Sequence, residues 1–297
     1  MSLGVGAVLV ILGCLATDAA LLTGRIDRVA VEFPEGPGET WVLIGEDSRA
    51  ELPAGASIAT FGTEEQVPGS RADVVLVVHE RGERTTVLSV PRDVVVPDAD
   101  IPGRLALSWL HGPQSTVDAL CGLGIAADHL VAIDLAGFAA VVDSVGGVDV
   151  DVRTPVRDPA AGLELRSAGV QHLDGATALA LVRSRHPEQR VDGGWTPAPE
   201  DADGRAAAAA GVLQALGEQA KGALWRPWRL RSLAAAGSEA LTVDDETSRI
   251  ELLALLRTDL DGATVLPVGD PVGGSVTRFA THRTVQALET AGLSCTP

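Results

Sequence analysis

Residues 71–93 read RADVVLVVHERGERTTVLSVPRD, and no other stretch restricts the fold as much. Two apolar, β-branched runs, 74–78 and 86–90, flank the polar residues 80–84, with Gly82 at their centre. That pattern predicts a β-hairpin. Pairing Glu80 near Thr85 sets the register and puts Asp73 opposite Arg92. Arg71, Asp73, Arg92 and Asp93 then crowd one edge of the sheet. A surface ion-pair cluster would use the same residues. Two Arg and two Asp at the open end of an apolar hairpin are nevertheless more charge than a solvated face needs.

The rest of the chain supplies strands and helices in alternation. A short strand over 41–44 stops at GEDSR (45–49), and 50–70 is a loop without period. The pattern predicts a helix over 104–120, with Leu105, Trp109, Val117 and Leu120 turned inward. A buried strand follows at 130–133, then a helix over 135–145 stopped by Gly146-Gly147. Residues 148–152 alternate Val with Asp, as in a half-exposed strand. A strand at 163–165, a helix over 174–182 capped by Asp174, and a Pro/Gly/Asp-rich loop over 187–204 come next. The alanine-rich stretch 205–221 favours helix, as does 249–256, and 263–268 reads as a strand. Such alternation implies one α/β domain, over 41–270.

Residues 3–24 are apolar apart from Thr17, Asp18 and Thr23, a length that suits one membrane-spanning helix. A cleaved signal peptide is the alternative; neither reading has the usual basic start. The expectation is a single-pass anchor over 1–24, a linker over 25–40, the domain outside the cell, and a tail over 271–297. With 297 residues, 46% hydrophobic, the chain can bury a sizeable core. Its net charge of −17 and lack of a basic stripe argue against nucleic acid as a partner. Cys121 and Cys295 have no zinc-ligand spacing. They would pair in an oxidising compartment; an inert buried thiol at Cys121 is the other reading.

Three polar clusters carry chemistry. Asp47 and Arg49 follow the first strand, the second cluster is the hairpin edge, and Arg183, Arg185 and Arg205 surround the second loop. Open α/β sheets bind ligands at such strand ends. Arginine forks grip phosphate, and Arg205 opens a helix whose free N–H groups favour anions. Paired Asp beside phosphate oxygens suits Mg²⁺. Together these residues fit a metal–diphosphate site. Walker A, GxGxxG and GxSxG signatures are missing from the sequence.

The blocks LIGEDSR (43–49), RAD (71–73), SVPRD (89–93), GFAAVVDSVGGVDVDV (137–152), LDGATALALVRSR (173–185) and DGR (203–205) resemble, in order, the LytR-CpsA-Psr family of bacterial cell-wall proteins. The resemblance implies a three-layer α/β/α domain with a mixed central sheet, outside the cell on one membrane helix. It implies a Mg²⁺-dependent phosphotransferase that moves a glycopolymer from a polyprenyl-pyrophosphate carrier to peptidoglycan. The carrier tail would lie in a hydrophobic cavity between sheet and helices. Carried over by motif, Asp47 and Asp73 would hold Mg²⁺, and Arg92, Arg183, Arg185 and Arg205 would grip the pyrophosphate. Asp93 would orient or help activate groups there, with Arg71, Arg104 and Asp203 as further substrate contacts. Arg49 would contribute less.

Departures from the family pattern keep a second function in view. Ala208 and Ala209 stand where the family has Arg-Gln, Ala106 where it has Asn, and Ala202 where it has Asp. A paralogue that binds polyprenyl phosphates or peptidoglycan without efficient transfer is the alternative, and a lipid pyrophosphatase is a third reading.

Overall fold

The computed structural model describes residues 24–296 apart from 54–61, 97–102, 192, 199–201, 224, 256, 259 and 261. Among them, seven strands build the central sheet: β1 (Asp27–Val29), β2 (Glu39–Glu46), β3 (Ala72–Arg81), β4 (Arg84–Ser89), β5 (His129–Ile133), β6 (Leu241–Asp244) and β7 (Thr264–Val265). The main helices are α1 (Pro113–Leu123), α2 (Leu135–Ser144), α3 (Gly175–Arg183), α4 (Ala202–Ala223), α5 (Pro227–Ala240) and α6 (His282–Ala291). The strands lie in the order β1-β6-β5-β2-β3-β4-β7. β5 is parallel to β2, whereas β3 is antiparallel to both neighbours, so the sheet is mixed as expected.

The hairpin has the register its sequence predicts, with Glu80 opposite Thr85. Its strands run further than the apolar runs, to the Arg81–Arg84 pair, and leave a two-residue turn. Gly82 has φ +65° there, a conformation that tight hairpin turns require and glycine supplies without a clash.

Side chains alternate between the two faces of the sheet, as strand geometry demands. Val42, Ile44, Val75, Val77, Leu130 and Ala132 meet Val117 and Leu120 of α1 and Leu288 of α6. On the other face, Trp41, Val78, Val87, Val131 and Val243 meet Leu252, Leu255 and Leu260. A further core joins α2, α3 and α4 through Phe138, Val142, Leu179 and Val212.

Several elements differ from the sequence-based expectation. The helix expected over 104–120 is broken: Leu105–Ser108 and a 3-10 turn at Trp109–His111 precede α1. Gly112, at φ +101°, reverses the chain, and Pro113 starts the next helix. All four residues expected to point inward are nevertheless buried. The half-exposed strand expected over 148–152 is present, but Val148–Val152 pairs with Gly169–Leu173 in a separate sheet. Part of the loop at 187–204 is a hairpin, Glu188–Val191 with Gly194–Pro197. The 25–40 stretch contributes edge strand β1, which is more than a linker would do. The 271–297 stretch contributes α6, whose Leu288 and the following Leu293 enter the core. Cys121 and Cys295 form the expected disulfide, fastening this end of the chain to α1.

The expected membrane segment falls outside the described residues but for Gly24. No helix among the described residues is long and apolar enough to cross a membrane.

Candidate active site

The antiparallel run of β2, β3 and β4 brings the end of β2, the start of β3 and the end of β4 to one edge. After a register shift between Gly45 and Glu46, the Asp47 N–H donates to the Arg71 carbonyl at 2.9 Å. Asp73 is therefore a strand neighbour of the Asp47 turn, and hairpin register carries Arg92 to the same place.

Asp73 is the centre of the charge network. One carboxylate oxygen accepts from Arg92 Nη1 and the other from Arg185 Nη2, the latter at 2.5 Å. Arg92 Nε lies 3.6 Å from Asp93 Oδ2, and Asp93 Oδ1 accepts from Arg104 Nη1 at 2.8 Å. The result is an alternating row, Arg185–Asp73–Arg92–Asp93–Arg104. The N–H groups of Leu105 and Ala106 donate to the Val94 and Arg92 carbonyls at 2.9 Å, which fixes Arg104 beside this row.

Asp47 lies deeper, with its side chain 9% exposed. Its Oδ2 accepts from Arg49 Nη2 at 2.9 Å, while Oδ1 is buried with no hydrogen-bond partner among the described residues. Burial, and next the Asp73 charge, raise its pKa against the pull of Arg49, Arg183 and Arg185. Arg183 belongs to the same group: burial lowers its pKa, and the Asp47 carboxylate opposes that most. Arg71 adds a buried Nη1 without a hydrogen-bond partner among the described residues.

The structure thus brings together Asp47, Asp73, Arg92, Asp93, Arg104, Arg183 and Arg185, with Arg71 alongside. Arg49 is nearer the centre than expected, as the partner of Asp47. Asp203 and Arg205 lie at the start of α4, and their side chains are outside the described residues.

Sequence reasoning missed Asp158. It is 1% exposed, and its Oδ2 accepts from Ser184 Oγ and the N–H groups of Arg185 and His186 at 2.8–2.9 Å. Burial pushes its pKa up, but these hydrogen bonds outweigh that and the pKa is lowered. Asp158 therefore fixes the backbone from which Arg185 reaches Asp73. The only local signal is an Asp-Pro turn.

The donor set suits a cation brought with a phosphate. Asp47 Oδ1 is an acceptor that no donor occupies among the described residues. Among the described residues no cluster of three or more His, Cys, Asp or Glu could hold a metal alone. Mg²⁺ takes one or two carboxylates and completes its shell with phosphates and water. Asp73, whose oxygens hold Arg92 and Arg185, would join such a shell only if an arginine turned from its carboxylate to a phosphate.

An apolar crevice of about 10 Å³ lies behind this edge, between the sheet and α4. Leu43, Leu76, Val78, Val87, Leu213, Leu260 and Ala263 line it.

Comparison with known proteins identifies the fold and the family. A model of the LytR_cpsA_psr family matches residues 34–221. "Probable cell wall biosynthesis protein LcpB" of Corynebacterium glutamicum is 38% identical over 190 residues, covering 62% of this chain and 44% of that protein. The polyisoprenyl-teichoic acid–peptidoglycan teichoic acid transferase TagU of Halalkalibacterium halodurans is 31% identical over 157 residues, 50% of each chain. The chain thus spans half or less of these curated relatives. A solved LytR-Csp2A-Psr enzyme from Actinomyces oris superposes with TM-score 0.74 at 35% identity, over 91% of this chain and 97% of that one. TagT bound to LI-WTA shares the fold, with TM-score 0.59 at 18% identity over 89% of this chain and 98% of that one. With the family model matched over most of the domain and a mixed central sheet that superposes on solved members, this chain belongs to the LytR-CpsA-Psr family.

Proposed function

We propose that the protein is a phosphotransferase that moves a glycopolymer from a polyprenyl-pyrophosphate carrier to peptidoglycan. It works outside the cell, held by a membrane helix over 3–24. The observation that carries this reading is the convergence of Arg92, Arg183 and Arg185 on Asp47 and Asp73. Phosphoryl transfer asks little covalent chemistry of a protein; positioning and charge stabilisation supply most of the catalysis.

In the reaction, an acceptor sugar hydroxyl bonds to the phosphorus that bears the glycan. The bridging P–O bond breaks, polyprenyl phosphate leaves, and the hydroxyl proton passes to water. Arg92 and Arg185 exchange Asp73 for phosphate oxygens and take up charge on the leaving phosphate. Asp93, held by Arg104, keeps Arg92 aimed at the site. Bound at Asp47 and Asp73, Mg²⁺ would add counter-charge to the diphosphate.

One observation favours the binding paralogue. Ala106 and Ala209, at positions where the family carries Asn and Gln, are 3% and 6% exposed and offer no side-chain polar group. The test mixes full-length protein, a short-chain prenyl-pyrophosphate glycan and a peptidoglycan oligosaccharide, with Mg²⁺ or chelator. Mass spectrometry should find the glycan-phosphate on the acceptor, with Mg²⁺. Tight donor binding without product would identify the paralogue. Prenyl phosphate released without labelled acceptor would identify a pyrophosphatase.

A further inference from the structure

α5 has one face in the core and one in water. Leu233, Ala236 and Ala240 pack against Val141, Val145 and Ala220. Trp228, Arg231, Ser232 and Glu239 are exposed. At about 100° per residue these four share one stripe, opposite Leu233. Trp225, just before the helix, is 89% exposed and Trp228 68%, whereas Trp41 is 2% exposed. Two neighbouring indoles this exposed are a large apolar area that no described residue covers. The same stretch, KGALWRPWRLRS (221–232), has four cations and no acid, in a chain of net charge −17.

Arg25 shows where this stripe lies relative to the N-terminal segment. Its Nη1 donates to Glu239 Oε1 at 3.2 Å, so the chain emerging from the apolar residues 3–24 arrives on the exposed stripe. Trp228 stands about 16 Å away at the other end of the helix, eleven residues at 1.5 Å each. The Arg25 pair also neutralises Glu239, the acid on the stripe.

We infer that this face of α5 lies flat on the membrane that residues 3–24 enter, against an anionic phospholipid surface. Trp225 and Trp228 take the headgroup level, where indole rings are favoured, and Arg226 and Arg231 meet lipid phosphates. The inference rests on the anchored reading above and adds a second contact that fixes the orientation of the domain over the bilayer.

The experiment uses full-length protein in phosphatidylglycerol vesicles with brominated or plain acyl chains. Residues 3–24 contain no Trp, so Trp emission reports on the domain alone. Brominated lipid should quench the emission of two of the five Trp. Trp225→Phe with Trp228→Phe should abolish that quenching and leave the emission of the other three. Arg226→Gln with Arg231→Gln should reduce it to the level seen in phosphatidylcholine. Protein that does not float with the vesicles overturns both the anchor and the helix contact. Protein that floats but emits equally in brominated and plain lipid overturns the helix contact alone. So does a Trp response to soluble glycan strands or to protein concentration instead of bilayer bromine, which would assign the face to sugar or to a second copy.

Discussion

Arg185 Nη2 donates to Asp73 Oδ2 at 2.5 Å across 112 residues of chain. The other Asp73 oxygen holds Arg92, so one carboxylate keeps arginines from two distant segments in a single site. Asp73→Asn is expected to lower transfer and its Mg²⁺ dependence together. Arg92→Ala should weaken binding of a short-chain prenyl pyrophosphate roughly 10- to 100-fold with Mg²⁺ and with chelator, the loss of one charge-assisted bond of about 1.5–3 kcal/mol. Titration calorimetry measures the affinities, and mass spectrometry of the acceptor with Mg²⁺ or chelator measures transfer. Wild-type affinity for Arg92→Ala in both conditions would reduce this edge to an ion-pair cluster. Arg49, expected to contribute less, does not serve as a control, because it holds Asp47. Arg84, exposed at the hairpin tip, serves instead.

Asp47 works against the fold that contains it. Its pKa is raised by burial and then by Asp73, so ionisation is costlier in the native state than in the unfolded chain. A group of this kind contributes its full stability below the unfolded carboxylate pKa and loses it as pH rises through the folded value. Asp47→Asn should therefore raise the unfolding temperature at about pH 7 in chelator, and give no gain near pH 3, below the ordinary Asp value of about 3.9. The same substitution should remove most Mg²⁺-stimulated transfer. Thermal scans at the two pH values test the sign, and an equal gain at both would mean that the charge of Asp47 carries no cost.

The contrast between Arg92 and Arg185 shows which parts of this site are legible in sequence. Hairpin register is local arithmetic, so Asp73 opposite Arg92 follows from the residues alone. Arg185 reaches Asp73 only because α3 ends where it does, and that end is fixed by Asp158, a residue whose partners are 26–28 positions away. No spacing rule encodes such a contact. The break between Leu105–Ser108 and α1 is different. Gly112-Pro113 is a visible stop signal, but apolar residues continue on both sides and mimic one helix. α6 was hidden for another reason: its capping box uses Thr284 where Glu or Gln is the usual mark.

Asp158 carries a stability and a positioning prediction. Despite burial, its hydrogen bonds hold its pKa below the ordinary range, so its stabilisation is present above the unfolded carboxylate pKa and fades as pH falls through the lower folded value. Asp158→Asn should cost about 1–3 kcal/mol near neutral pH, from unsatisfied N–H groups around Ser184–His186. It should also weaken prenyl pyrophosphate binding while leaving an Arg185→Ala background unchanged, because both act through the same guanidinium. Additive losses in that double-mutant cycle would separate Asp158 from the site.

If the proposed carrier tail enters the apolar crevice between the sheet and α4, affinity should depend on chain length. At about 10 Å³ it holds no more than a water molecule, so a prenyl chain entering it would have to part α4 from the sheet. Glycines lower the intrinsic helix propensity of α4. Gly211, Gly217 and Gly222 lie along it with open space where a Cβ would stand, and each helical Gly costs about 1 kcal/mol relative to Ala. Arg205, at the start of this helix, would move with it. Each additional prenyl CH₂ buried in the widened crevice should add about 0.8 kcal/mol, so wild-type affinity should rise steeply with chain length. Leu213 is half-buried on the crevice wall, and an indole there would occupy the space the chain needs. Leu213→Trp should therefore flatten the dependence on chain length and leave affinity for the shortest prenyl pyrophosphate near wild type. Titrating a C10 and a C20 ligand into both proteins separates these effects. If the variant keeps the wild-type difference between the two ligands, the tail lies elsewhere and the crevice is only a packing defect.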